Sequence, residues 1–155
     1  MFELYNYENK MPKDKYNKIY KILINNFYKN NNEIIKDEKY NNWVNMILNT
    51  PNYYILIYSI NNNIVGFISC IYIEEGLMLS EVQIKKQYQG KYDILRKMLK
   101  YICNICDKDK SKYVLGTIND NNEKSKQVFT YIGFKKEKGI LYKISFNNLI
   151  KWINK

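Results

Sequence analysis

The segment Tyr53–Ile84 constrains the fold more than any other part of this chain. Three runs rich in β-branched and aromatic residues, Tyr53–Ile60, Ile64–Ile73 and Leu77–Ile84, are separated only by Asn61–Asn63 and Glu74-Glu75-Gly76. Such runs, broken by such turn formers, predict consecutive strands joined by hairpins. The period then changes. Leu95, Met98, Leu99, Ile102, Cys103 and Cys106 recur on one face of a helix.

The flanking segments fit the same reading. Phe2–Tyr7 predicts a first strand, and Tyr16, Ile19, Tyr20, Leu23 and Phe27 a helix with Asp14 as its cap. Tyr40, Trp43, Val44, Ile47 and Leu48 form a second apolar stripe that stops before Pro51. Tyr113–Ile118 reads as a strand, and Glu123–Ile132 as a short helix closed by Gly133. Phe134 opens a hairpin that turns at Gly139 and returns through Ile140–Phe146, before a last helix over Asn147–Asn154. Asn30–Asn32 and Asn119–Asn122 mark further turns. A meander of strands followed by strand–helix units predicts an α/β fold, a mixed sheet with helices on both faces. At 155 residues, one domain spanning residues 1–155 is expected.

The chain has no histidine. That excludes Ser-His and Cys-His nucleophiles and the common histidine metal sites, so no metal is expected. The three cysteines include Cys103 and Cys106, a C-x-x-C pair. It falls at the end of a helical pattern rather than at a helix start, so it reads as two small apolar residues on a buried face. No apolar run approaches the roughly 20 residues of a membrane span, and the amino terminus lacks a signal-peptide pattern. A cytoplasmic location without membrane partners is therefore expected. The net charge of +10 is spread through a chain crowded with Lys, Asn, Ile and Tyr, with a single arginine, Arg96. Specific nucleic-acid readers rely on the bidentate arginine fork, so nucleic-acid binding is disfavoured.

The chemistry-bearing segment is Glu81–Tyr92, where a strand ends, a polar loop with the lone Gly90 follows, and a helix begins. Such a loop presents unpaired N–H groups at the positive end of a helix, which suits phosphate oxygens. Lys85, Lys86 and Lys91 add positive charge beside it.

Val82–Gln89-Gly90-Lys91 followed by Leu95, Met98 and Leu99 resembles the acetyl-CoA loop of the GNAT superfamily of N-acetyltransferases. Asn122, Ser125, Phe129 and Gly133-Phe134 are similar to the second motif of that superfamily, in the same order along the chain. The resemblance implies a central, mostly antiparallel seven-stranded sheet with strands four and five splayed apart. It implies acetyl-CoA as co-substrate and an amine of a small molecule or peptide as acceptor, which attacks directly. Backbone near Val82, Gln83 and Ile84 would pair with the pantetheine arm. Amides of Gln89, Gly90, Lys91 and Tyr92, extending to Asp93 and Ile94, would hold the pyrophosphate. Asn122, Ser125 and Phe129 would lie along the pantetheine or the adenosine diphosphate end. Relatives are often dimers, which leaves a homodimer open.

Two departures stand out. The second small residue of the loop is missing, with Tyr92 or Ile94 at its place according to register. Phe129 stands where many relatives carry a proton-donating tyrosine, and Tyr131 lies roughly 200° further around the helix. Tyr142 is the alternative acid. Glu81 is the candidate base, although alternation sends it to the face opposite Val82 and Ile84. Tyr20, Phe27 and Tyr28 are where the acceptor would be covered. Two other readings stay open: a weakly catalytic acyl-CoA-binding module, and a basic nucleic-acid-binding domain.

Overall fold

The computed structural model describes residues 1–27 and 37–155. The expected turn at Asn30–Asn32 and the candidate Tyr28 lie outside the described residues, and of Phe27 only the backbone is described. In chain order the elements are β1 (Phe2–Asn6), α1 (Lys13–Phe27), α2 (Asp37–Asn49), β2 (Tyr53–Ile60), β3 (Asn63–Ile73) and β4 (Gly76–Ile84). A 3-10 turn at Lys86–Tyr88 precedes α3 (Asp93–Ile105). Then come β5 (Tyr113–Thr117), α4 (Glu123–Ile132), β6 (Lys135–Lys138), β7 (Leu141–Ser145) and α5 (Phe146–Ile153). The strands form one seven-stranded sheet in the order β1-β2-β3-β4-β5-β7-β6. The mixed α/β class read from the sequence is the class found.

Two boundaries differ instructively. Helix α1 begins at Lys13, so Asp14 sits inside its first turn instead of capping it. There its charge complements the helix dipole. The last helix starts at Phe146, because the Ser145 hydroxyl accepts from Asn148 N at 3.2 Å and caps it one residue early.

Packing divides the chain into two compact units, Met1–Ser69 with Glu81–Met98, and Cys70–Ser80 with Leu99–Lys155. In the first, β1 pairs antiparallel with β2 from Phe2↔Tyr58 to Asn6↔Tyr54. Ile55, Leu56 and Ile57 are all buried, as are Val65, Phe67 and Ile68 of β3. Strands covered on both faces read as continuous apolar runs, which is why these were legible without strict alternation. Helices α1 and α2 meet through aromatic rings: Trp43 lies edge-on to Tyr16 at 6.2 Å and to Phe67 at 6.4 Å. Trp43 is thus a packing residue.

In the second unit, β4 and β5 run parallel over Leu77↔Val114, Met78↔Leu115 and Leu79↔Gly116. Strand β4 then runs on through Ile84. β5 pairs antiparallel with β7 from Tyr113↔Ser145 to Thr117↔Leu141. β6, the exposed run Lys135–Lys138, forms the sheet edge. Charged side chains along an edge strand discourage pairing with other chains. Gly133 ends α4 with φ of 119°, and its N–H returns to Phe129 and Thr130 carbonyls. Leu149, Trp152 and Ile153 bury one face of α5, each such side chain contributing about 1.5–3 kcal/mol.

Cys70 and Cys103 are buried and Cys106 is partly so, all as free thiols. Burial pushes Cys103 up to about 12 and raises Cys70 and Cys106 as well. These thiols stay protonated and serve as apolar packing. Among the described residues no cluster of three or more Cys, Asp or Glu could hold a metal ion. Nor, among the described residues, is any helix long and apolar enough to cross a membrane.

Candidate functional site

The site forms in the first unit, where β4 ends and α3 begins. Lys85 N donates to the Val65 carbonyl at 2.8 Å, which ties the end of β4 to β3. Successive residues of a strand direct their peptide groups to opposite edges. Gln83 therefore faces β3, as the proximity of its carbonyl to Gly66 confirms. Val82 and Ile84 direct their N–H and C=O groups to the edge away from β3. Gly66 permits this closeness: a Cβ there would lie 2.8 Å from the Gln83 oxygen and 3.3 Å from Met98 Sδ of α3.

Beyond Ile84 the chain makes its 3-10 turn. Tyr88 N bonds the Lys85 carbonyl at 2.9 Å, and Gln89 N the Lys86 carbonyl at 3.2 Å. The Gln89 amide is thus engaged inside the turn and leaves the set of anion-facing amides expected from the sequence. Gly90 follows with φ of +94°, a conformation that side chains disfavour. A Cβ at Gly90 would meet nothing within 4 Å, so the loop is open on that side. Arg96 N bonds the Tyr92 carbonyl at 2.8 Å, the first intrahelical bond of α3. The amides of Asp93, Ile94 and Leu95 precede it and have no intrahelical partner. They form the N-terminal end of a 13-residue helix, with Lys91 and Tyr92 immediately before it. Lys86 and Lys91 are exposed beside it, and Lys85 is half-buried. The Asp93 carboxylate in the first turn partly offsets this positive field.

Glu81 is half-buried. Its Oε2 accepts from Gln83 Nε2 at 3.0 Å, the two side chains sharing one face of β4 as i and i+2. Burial raises its carboxyl above the usual range, and the Gln83 hydrogen bond pulls part of the way back. Gln83 Oε1 in turn accepts from Asn26 Nδ2 at 2.9 Å. Asn26 Nδ2 also donates to the Ile84 carbonyl at 2.9 Å, and Gln89 Nε2 reaches that carbonyl at 2.6 Å. Asn26 carries no sequence signal. Tyr20, the aromatic candidate earlier on the same helix, is buried against Tyr40 at 5.1 Å and Trp43 at 5.4 Å.

The remaining sequence candidates belong to the second unit. Asn122 is the N-cap of α4, its Oδ1 accepting from Ser125 N at 3.2 Å. The Asn-x-x-Ser spacing therefore has a capping role in its own right. Phe129 is half-buried and lies edge-on to Phe134, with centroids 5.1 Å apart. Tyr131 is 62% exposed, in keeping with its place around the helix. Tyr142 is buried in β7, opposite Gly116 of β5 and Lys136 of β6.

A half-buried carboxylate thus shares a strand end with a glycine turn and an anion-ready helix start. A profile described as an acetyltransferase (GNAT) domain matches residues 16–143. No curated protein matches the sequence. The structure is similar to an acetyltransferase from Thermus thermophilus, with a TM-score of 0.72, 16% identity, and coverage of 94% of this chain and 97% of that one. It is also similar to the PaiA N-acetyltransferase of Thermoplasma acidophilum in complex with coenzyme A, with a TM-score of 0.67, 16% identity, and 94% and 99% coverage. An aminoglycoside acetyltransferase from an uncultured soil metagenomic sample, in complex with sisomicin, matches with a TM-score of 0.67 and 14% identity, covering 90% of this chain and 91% of its own.

Proposed function

This chain belongs to the GNAT acetyltransferase family, and from that premise we propose that it moves an acetyl group from acetyl-CoA to a primary amine. The carrying observation is the turn at Gly90, with its positive φ, its open flank and the α3 amides beyond it. Gly90, Lys91, Tyr92, Asp93 and Ile94 would hold the diphosphate by their main chain, and Val82 with the N–H of Ile84 would pair with the pantetheine arm. Acetyl-CoA supplies an activated acyl thioester. Everything else falls to the protein.

Val82 directs its N–H to the edge of β4 away from β3, where it would polarise the thioester carbonyl and stabilise the negative charge that develops on attack. Glu81 is the base. Burial lifts its pKa towards that of an amine, which favours proton transfer. Tyr142 would give the proton to the departing thiolate, in place of the tyrosine that Phe129 replaces. Thiolates leave readily, so weak acid assistance slows the step without stopping it. Asn122, Ser125 and Phe129 line the second motif. We read the whole chain, residues 1–155, as one cytoplasmic catalytic domain.

A second reading has its own support: Phe129 has no proton to give, which suits a module that binds acetyl-CoA with little turnover. Calorimetry with acetyl-CoA, followed by thiol release over a panel of primary amines, tests both. The panel holds an aminoglycoside, a diaminoalkane, an amino sugar and peptides with free amino termini. Micromolar binding with thiol release is expected. Binding without release would favour the second reading, and absence of binding at tens of micromolar would remove both. Affinity for DNA or RNA at low salt that falls steeply with added salt would instead indicate a polyanion binder.

A further inference from the structure

We propose that Asn26 is a positioning residue of this site: through Gln83 it fixes that an N–H, and not a carbonyl oxygen, meets the Glu81 carboxylate. The inference rests on the reading of Glu81 as the base.

The argument starts from one backbone carbonyl. The Ile84 oxygen can only accept, and two side-chain amides converge on it, Asn26 Nδ2 at 2.9 Å and Gln89 Nε2 at 2.6 Å. Both must therefore turn their N–H2 groups towards it. Asn26 Oδ1 is then left facing Gln89, whose Nε2 lies 3.3 Å away. The second N–H of Asn26 points at Gln83, which has to answer with its oxygen, at 2.9 Å. Gln83 Nε2 is then the end that meets Glu81 Oε2, at 3.0 Å. Turned round, Gln83 would set its N–H2 against that of Asn26 and its oxygen against the carboxylate. Both contacts would repel.

The direction of every amide in the chain Gln89–Asn26–Gln83–Glu81 thus follows from a single acceptor. The result is a carboxylate with Oε2 held by a donated hydrogen bond. Asn26 sits on α1 while the other three residues belong to the end of β4 and its following turn. The helix therefore sets the orientation of the base and, through Gln89, touches the loop that precedes Gly90. Burial and the Gln83 amide are the two influences on the titration of Glu81; among the described residues no charged side chain of α1, β4 or the turn adds to them.

The test reads Glu81 itself, by carbon-13 NMR titration of glutamate carboxyls, with the Glu81 signal assigned by its loss in Glu81→Gln. Asn26→Ala and Gln83→Met should each move the Glu81 midpoint to higher pH, because Gln83→Met removes the donation that favours the charged form and Asn26→Ala frees Gln83 to turn away from it. The double variant should move it no further than Gln83→Met alone, since the two act through one link. Midpoints unchanged in both single variants, or shifts that add in the double, would overturn the proposal. Amide spectra of each variant establish that it is folded, and either single variant is sufficient to read the link.

Turnover separates this from the functional reading. In an active wild-type protein, Asn26→Ala should lower kcat/KM about fivefold at pH 6 relative to wild type, on the scale of one hydrogen bond between neutral groups. The loss should shrink towards pH 9. A wild-type protein that binds acetyl-CoA without turnover would count against Glu81 as base, while the NMR titration would still decide the role of Asn26.

Discussion

A side-chain carbon on Gly66 would lie 2.8 Å from the carbonyl oxygen of Gln83, closer than carbon and oxygen can pack. The bare glycine of β3 is therefore what lets the end of β4 lie where it does, with Ile84 Cγ1 and Met98 Sδ also within 3.3 Å of the same point. Because Gln83 is the middle link to Glu81, a packing constraint on one strand becomes a constraint on the base of the next.

Gly66→Ala should destabilise the fold by about 1–3 kcal/mol, the usual range for overpacking a dense core. It should also disturb the site, because the Gln83 backbone is the atom group that has to move. Denaturant unfolding measures the first effect and the Glu81 carboxyl signal reports the second. A variant with wild-type stability would mean the strands have slack that the structure does not show.

At Gly90 the constraint is conformational and not steric, so two substitutions separate the effects. Gly90→Ala has room but must adopt φ near +94°, and should lose about 1 kcal/mol of stability with a modest loss of acetyl-CoA affinity. Gly90→Glu carries the same backbone strain plus a negative charge beside the amides of α3. It should abolish binding in calorimetry. Equal affinities for the two variants would place the diphosphate elsewhere.

The half-buried carboxyl of Glu81 makes a prediction about stability that needs no substrate. Its folded-state pKa is raised above the ordinary value of 4.5 by burial. Between those two values the folded chain holds a proton that the unfolded chain has released, so by linkage stability falls as pH rises through that window. The penalty is absent at lower pH and complete above it. Glu81→Gln removes it, so the Tm of the variant relative to wild type should climb from pH 4 to pH 7. A difference that stays flat or declines would contradict the burial of this group.

Phe129 tests the missing acid. Its ring lies edge-on to Phe134, and Phe129→Tyr adds only a hydroxyl to that arrangement. If protonation of the leaving thiolate limits turnover, thiol release should rise about tenfold, below the general range for acid catalysis because a thiolate leaves readily. Unchanged release in a variant that binds acetyl-CoA normally would assign the proton to Tyr142 or to solvent.

The boundaries of most elements were legible along the chain because they depend on near neighbours. Tyr53–Ile60 was read to the residue, and Gly133 was recognised as the end of α4 because only a glycine settles readily at φ of 119°. The Lys86–Tyr88 turn escaped notice, since a 3-10 turn of that length has no periodicity. Asp14 was misplaced for a related reason: a carboxylate suits both the cap and the first turn, and sequence does not distinguish them.

What the sequence determined by itself is the alternation of strand and helix, the glycine turn before α3, and the exclusion of histidine chemistry. What only the tertiary structure decided is the company Glu81 keeps. Asn26 and Gln83 are 57 residues apart, and no local pattern in either marks the other. An asparagine on a helix and a glutamine on a strand are ordinary polar residues until packing sets α1 against the end of β4. There the Ile84 carbonyl, an acceptor with no alternative, orders the amides around it.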